Sequence, residues 1–430
     1  MSFSKKTVKD INLKGKRVLL RVDYNVPLHN GKITDDYRIK KSLPTIEYLL
    51  DQDCSIVICS HLGRPDGQRK MEFSLHPVAA RLEQLLKKNV QFCTQTVGSE
   101  AVAAASKLHE GQILLLENLR FDPGEEANDK TFAEQLASLG EVFVQDAFGV
   151  VHRAHASTEA VTHFLPSAAG LLLEQEVDTI TEVMENPKKP LMAIIGGAKI
   201  SDKIEVINRF IDIADALAIG GAMANTFLLA EGVAVGKSLD EPGEKHLAQE
   251  IIQKARKKAA AGKFVFYIPQ DGVVATSMDK SAKTRIVDWD VHVIASIENY
   301  PKRPPRSTMR VASNEEILDI GPFSGAFIAG LMQGMNTVVW NGAMGVTETP
   351  SLEGPIGPFA HGTELIVEAL VGQFGHKPYS VLGGGDTVGY IEDRQMTGYF
   401  NHVSTGGGAS MDLMSGKKLP GVEALQSKGK

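Results

Sequence analysis

The stretch LMAIIGGAKISDKIEVINRFIDIADALAIGGAMANTF, residues 191–227, decides the fold. It opens on a β-branched apolar run, Leu191–Ile195, with no polar alternation. It then turns through Gly196-Gly197 and continues with helical spacing over Lys203–Asp215. A second apolar run, Ala216–Ile219, leads into a second Gly-Gly turn. Strands without polar alternation are covered on both faces, and a helix between two of them makes them parallel neighbours in one sheet. Similar runs occur at Val18–Leu20, Ile56–Cys59, Ile113–Leu116 and Val142–Val144, and again at Phe264–Ile268, Thr337–Trp340, Ser380–Leu382 and His402–Ser404. Helical spacing separates many of them: Ala80–Lys88, Thr131–Leu139 (with Gly140 as its stop), Glu244–Ala261 and Thr363–Phe374. The expected class is α/β, with parallel sheets flanked by helices.

A chain of 430 residues exceeds what one hydrophobic core usually supports, so two lobes are expected. The segment GLLLEQEVDTITEVMENPKKP, residues 170–190, spaces Leu173, Val177, Ile180 and Val183 near a helical repeat. It stops at Asn186-Pro187 and Lys189-Pro190, which suits a hinge helix over 171–190, while the segment alone leaves open an ordinary crossover helix inside one lobe. The lobes are then 1–170 and 191–405. Residues 277–314 are basic and proline-bearing, without a clear period, and read as a partly extended surface excursion.

With 43% apolar and 23% charged residues the composition is that of a globular protein, and a net charge of -6 gives no reason to expect a nucleic-acid partner. No apolar stretch approaches the length of a membrane span, and the N-terminus lacks the apolar region of a secretory signal. Cys54, Cys59 and Cys93 form no C-x-x-C pair, which fits a reducing compartment. A cytoplasmic protein is expected.

In open parallel sheets, ligands bind beyond the carboxyl ends of the strands. In the first half those positions read RVDYNVP, SHLGRPDG, ENLRFDPGEE and QDAFGVVHRAHAS. They place Arg64, Arg120 and Arg153 in separate loops, with Arg38 following the first strand and Asp23, Asn25 and His61 nearby. Arginine grips phosphate or carboxylate through a planar fork. One arginine is usually a solvated surface charge, but several clustered cations repel one another unless an anion arrives. Asp23 suits a substrate hydroxyl. The inferred ligand carries a phosphate, a hydroxyl and a carboxyl group.

The second half reads IIGGAKISDK, AIGGAMANTF, VWNGAMGVTE, VLGGGDTVGY and STGGGASMDL after its strands. Glycines between a strand and a helix let the backbone approach a ligand and present free N–H groups to phosphate. Lys199 and Lys203, four apart, are placed on one side of an opening helical turn as cations for a phosphate chain. Asp386 in GGGDT is a candidate Mg²⁺ ligand or a helix N-cap. EGVAVGKS (231–238) lacks the first P-loop glycine, no G-x-G-x-x-G is present, and the His152 and His155 pair lacks a third metal ligand.

Taken in order, RVDYNVP, SHLGRP, ENLRF, DAFGVVHRAHAST, GGAKISDK, WNGAMGV, LGGGDT and STGGGAS resemble the phosphoglycerate kinases over nearly the whole chain, from Val18 to Leu425. The resemblance implies two Rossmann-like lobes joined by a helix, with 406–430 returning to the first lobe. It implies reversible, Mg²⁺-dependent phosphoryl transfer from 1,3-bisphosphoglycerate to ADP, giving 3-phosphoglycerate and ATP in glycolysis and gluconeogenesis, by a monomer. By motif it assigns the acid to Asp23, Asn25, Arg38, His61, Leu62, Gly63, Arg64, Arg120 and Arg153. The nucleotide goes to Lys199, Lys203, Gly220, Gly221, Glu348, Gly384, Gly385, Asp386 and Thr387, with Asp386 on the metal. Arg38, Lys203, Gly384 and Gly385 would stabilise the transferring group. The chain departs from the family pattern at Ala343, where proline is usual, at Thr347 for phenylalanine and at Ser324 for threonine.

Overall fold

The computed structural model describes residues 3–289, 310–352 and 354–429. They form two compact units. One runs to Thr181 and resumes at Thr405; the other is Glu182–Ser404.

The first unit holds strands β1 (Arg17–Arg21), β2 (Ser55–Cys59), β3 (Val90–Cys93), β4 (Ile113–Leu116), β5 (Val142–Gln145) and β6 (Ser167–Ala169). They form one parallel sheet in the order β3-β4-β2-β1-β5-β6. Every residue of β2, β4 and β5 is buried, which is why these strands carry no polar alternation. Leu20, Ile46, Ile56, Ile113 and Val142 belong to one apolar core that also takes in the helices Tyr37–Leu50 and His76–Leu86. The chain leaves β1 toward β2 and later adds β5 on the other side. That reversal opens a crevice at the carboxyl ends, where ligands of such sheets bind.

Gly140 is not the helix stop expected of it. The helix Lys130–Ala137 starts from Asp129, whose carboxylate accepts from Phe132 N at 2.8 Å, and it ends before Gly140 is reached. A Cβ on Gly140 would come within 2.9 Å of Leu19, so this glycine serves close packing on β1.

The second unit contributes β7 (Leu191–Ile195), β8 (Ala216–Ile219), β9 (Val265–Tyr267), β10 (Asp271–Ala275), β11 (Arg285–Asp288), β12 (Glu316–Ile320), β13 (Thr337–Asn341), β14 (Tyr379–Gly383) and β15 (His402–Val403). Six of these form a parallel sheet in the order β9-β8-β7-β13-β14-β15, the Rossmann order, with its switch point between β7 and β13. The helix Ile204–Ile213 connects β7 to β8 as the opening stretch implied. The other three form a small antiparallel sheet, β11-β10-β12.

Strand β11 is an extended part of 277–314, and it is paired: Gly272 pairs with Val287 and Val274 with Arg285. Arg285–Asp288 of that stretch is therefore sheet, following turns and coil over 277–284; residues 290–309 lie outside those described. The helix Leu171–Glu185 carries the boundary between the units, which falls after Thr181. Its first turn is held in the first unit, where Asp146 Oδ1 accepts from Leu173 N at 3.0 Å and Thr45 Oγ1 from Leu171 N at 3.0 Å. Among the described residues no helix is long and apolar enough to cross a membrane.

Candidate active site

In the first unit the loops beyond β1, β2 and β4 lock together. Asp23 Oδ2 lies 2.5 Å from Arg38 Nη1, fixing an arginine from the helix Tyr37–Leu50 beside the end of β1. Asn25 Oδ1 accepts from Gly63 N at 2.9 Å, and Arg120 Nη1 donates to Gly63 O at 2.7 Å. Gly63 has φ +62° and the Phe73 ring stands 2.3 Å from where its Cβ would be, so only glycine fits this turn. Asn118 acts as a four-way clasp. Its Oδ1 accepts from Leu62 N (3.2 Å) and Arg120 N (3.1 Å), while its Nδ2 donates to Leu62 O (2.7 Å) and Phe73 O (2.9 Å). Asp23, Asn25, Arg38, His61, Leu62, Gly63 and Arg120 are thus brought together. Arg64 is exposed next to Gly63, without a partner among the described residues. Arg153 is exposed beside His152, its Nε 3.4 Å from that ring.

Beneath this basic bowl lies a buried layer that sequence reading missed. Arg21 closes β1 with no exposed surface, donating from Nε to Ser157 Oγ at 2.8 Å and from Nη1 to Val22 O. Its Nη2 stands 3.8 Å from Glu125 Oε1 and 3.3 Å from His61 Nδ1. Glu125, also fully buried, accepts from Ser157 N (3.0 Å) and Ser157 Oγ (2.6 Å). An arginine ending an otherwise apolar strand was the one available signal. Removing one partner of a buried ion pair strands a charge, so Glu125→Leu is expected to lower unfolding stability by about 3–5 kcal/mol in urea titrations. The double change with Arg21→Met should recover most of that loss.

Three histidines at this site, His61, His152 and His155, are held toward their neutral form. Burial, and then the charges of Arg21, Arg120 and Arg38, hold His61 well below its usual pKa. Burial with Arg21, Arg120 and Arg153 pushes His155 down to about 4. His152 is lowered by burial and Arg153. Burial is the larger cause for each of the three, and the clustered arginines add to it, an arrangement suited to receiving an anion. The sign for stability follows directly. The unfolded chain binds protons near pH 6.5 that the folded chain refuses, so stability falls as pH drops from about 6.5 toward about 4. His155→Gln should show a shallower fall in melting temperature between pH 7 and pH 5 than the parent; equal slopes would count against this account.

In the second unit the glycine turns converge at the switch point. A Cβ on Gly196 would meet Ala343 O at 2.1 Å, and one on Gly342, which has φ +98°, would meet Gly196 O at 2.3 Å. The turns after β7 and β13 therefore touch backbone to backbone. Lys203 is the N-cap residue of Ile204–Ile213 and its side chain folds back onto this seam, donating to Gly196 O (2.6 Å) and Asn341 Oδ1 (2.9 Å). Burial lowers its ammonium to about 8 against the pull of Asp386 and Asp202. Asn341 Nδ2 is buried without a partner among the described residues, a spare donor beside that cation.

Lys199 and Lys203 do not share one face of a helix, because the helix begins only at Ile204; Lys199 is exposed near Glu241. Glu241 instead accepts from Ile200 N (2.6 Å) and Ser201 Oγ (2.7 Å), pinning the intervening turn. Nor is Asp386 an N-cap. Gly384 holds that position with φ +90°, and Asp386 sits exposed in the first turn of Gly385–Asp393. Thr387 is buried, its Oγ1 accepting from Gly342 N at 2.9 Å. A cleft of about 250 Å³ opens here, lined by Gly197, Gly221, Ala343, Glu348 and Asp386. Gly220 does not line it; the Met344 side chain packs where its Cβ would be.

A model of the phosphoglycerate kinase family matches residues 8–417. The chain belongs to the phosphoglycerate kinase family. It is 47% identical over 426 residues to the phosphoglycerate kinase of Moorella thermoacetica, covering 99% of this chain and all of that one. Its fold matches the structure of phosphoglycerate kinase from Coxiella burnetii with TM-score 0.78 at 37% identity, and that from Pyrococcus horikoshii with 0.79 at 28%, each over 98% of both chains. Against the usual phosphoglycerate kinase pattern, Ser324 keeps the hydroxyl that threonine would supply. It donates to Asp271 Oδ1 (2.6 Å) and accepts from Gln270 N (2.9 Å). Ala343 lines the cleft, and Thr347 is half-buried at its rim residue Glu348.

Proposed function

We propose that the chain catalyses reversible phosphoryl transfer between 1,3-bisphosphoglycerate and ADP, giving 3-phosphoglycerate and ATP. The observation that carries this reading is the pairing of two unlike anion sites in one chain. One unit has Arg38 and Arg120 around neutral histidines; the other has Lys203 bound into a glycine seam at a sheet switch point. In this reading Asp23, Asn25, Arg38, His61, Leu62, Gly63, Arg64, Arg120 and Arg153 hold the acid. Lys199, Lys203, Gly221, Glu348, Gly384, Gly385 and Thr387 serve the nucleotide.

Asp386 would hold the Mg²⁺ of the nucleotide. Its exposed carboxylate at a helix start suits an ion that takes one or two carboxylates and fills its shell with phosphate and water. When bound, the ion supplies charge neutralisation on the phosphate chain.

In the direction of ATP use the nucleophile is a carboxylate, ionised at neutral pH, so no general base is needed. Catalysis then rests on in-line positioning and on neutralising charge over the moving group. Arg38 from the acid side and Lys203 with the amides of Gly384 and Gly385 from the nucleotide side carry that task. Acid and nucleotide bind to different units, so the reaction requires closure about the helix Leu171–Glu185, which also excludes water. We place the enzyme in the cytoplasm as a monomer.

A coupled assay supplies the test. ATP plus 3-phosphoglycerate should give turnover that depends on both substrates and disappears when Mg²⁺ is chelated. Turnover without the acid, or none with both, would refute the reading.

A further inference from the structure

The cleft of the second unit contains an acceptor with nothing to accept. Asn225 lies in the first turn of the helix Met223–Ala230 and is 1% exposed. Its Nδ2 donates to Leu239 O at 2.9 Å, which fixes the orientation of the amide, since the flipped form would set two carbonyl oxygens against each other. Its Oδ1 is buried and has no partner among the described residues. Asn225 lines the same cleft as Asp386, Glu348 and Gly221, and so do the apolar side chains of Leu228, Leu239, Trp289 and Ile317.

The Trp289 ring is itself fixed. Its Nε1 donates to Pro269 O at 2.7 Å, and a Cβ on Gly272 would lie 2.4 Å from the indole. One cleft thus offers a charged rim, flat apolar walls and one desolvated carbonyl. A flat heterocycle bearing an N–H donor satisfies all three, and a buried acceptor left unpaired is penalised heavily enough to discriminate between ligands.

We infer that Asn225 is a base-specificity residue, its Oδ1 accepting a hydrogen bond from the exocyclic amine of adenine while the ring lies between Trp289, Leu239 and Ile317. Hypoxanthine carries a carbonyl in place of that amine, so an inosine nucleotide would bring two acceptors together at Asn225. The inference rests on reading the cleft as the nucleotide site, and it makes a distinct claim: this chain prefers adenine to hypoxanthine, and Asn225 is the reason.

Two measurements on the intact enzyme test it. Calorimetry with ADP and IDP, each with Mg²⁺, should show ADP binding at least about 10-fold more tightly. Kinetics with ATP and ITP should show the same preference in kcat/KM, carried mainly by KM. In Asn225→Leu the ratio should collapse toward one through weaker binding of the adenine nucleotide, with KM for 3-phosphoglycerate unchanged. Asn225→Ser, which also withdraws the amide carbonyl and is less demanding of space, should do the same if the leucine variant does not fold.

Equal affinity of the parent for ADP and IDP would overturn the inference, as would a preference that survives in either variant. Absence of turnover in the parent would instead contradict the proposed reaction. The calorimetric ratio would then still decide the claim about the base.

Discussion

Arg38→Ala is expected to lower kcat on the order of 10²- to 10³-fold while 3-phosphoglycerate still binds, because removing one preorganised charge-stabilising donor costs about that much. Arg38 differs from the other arginines of the bowl in its anchorage. It comes from a helix, is held by the carboxylate of Asp23 at 2.5 Å, and keeps 31% of its side chain exposed. Arg120 is buried, with Nη1 donating to Gly63 O and Nε paired with the Glu126 carboxylate, as a structural and binding group would be. A guanidinium held at one nitrogen and open at the others can meet charge that develops only during transfer. The expected signature is a fall in kcat and kcat/KM together. Arg38→Lys should not rescue the rate, since an ammonium lacks the planar fork. A change confined to KM would place Arg38 in ground-state binding and remove it from the transfer step.

Lys203→Ala should cost 10²-fold or more in turnover, and for a reason that differs from the first. Lys203 is largely buried at the seam between two strands that diverge in the topology, and burial already lowers its pKa to about 8. An ammonium kept in so dry a place gains strongly from an arriving phosphate chain. Its present partners, Gly196 O and Asn341 Oδ1, are neutral acceptors that hold it without neutralising it. Loss of the ammonium should raise KM for the nucleotide as well as lower kcat, and should leave KM for 3-phosphoglycerate near the parent value. Near-normal turnover would refute the role given to Lys203.

Much of this was legible in sequence because parallel strands buried on both faces advertise themselves as apolar runs, and the loops after them are where ligands bind. The arginines of the bowl and the glycine turns followed from that rule alone. Elements that break the simple patterns did not. The helix Tyr37–Leu50 contains Pro44, which reads as a breaker, yet it buries Ile39, Ile46 and Leu49. Strand β6, SAA, is too short and too small to register as a run. Gly140 carried the letter of a helix stop and the geometry of a packing contact.

The groups that shape the site were hidden for a related reason. Arg21, Glu125, Asn118 and Asn225 act through partners distant in sequence, and no local pattern distinguishes a buried arginine or asparagine from a solvated one. Lys199 and Lys203 show the converse error: a spacing of four implies a shared face only where the chain is already helical.

The central claim is a division of labour, with the acid held by the arginine unit and the nucleotide by the glycine unit. Hydrogen–deuterium exchange with each ligand alone tests it most directly. 3-Phosphoglycerate by itself should protect amides in 23–25, 61–64, 118–120 and 150–155 and leave 196–203 and 342–348 unchanged. MgADP by itself should do the reverse, protecting 196–203, 220–228, 342–348 and 383–387. Protection of the glycine turns by 3-phosphoglycerate alone, or of the arginine loops by MgADP alone, would contradict the assignment.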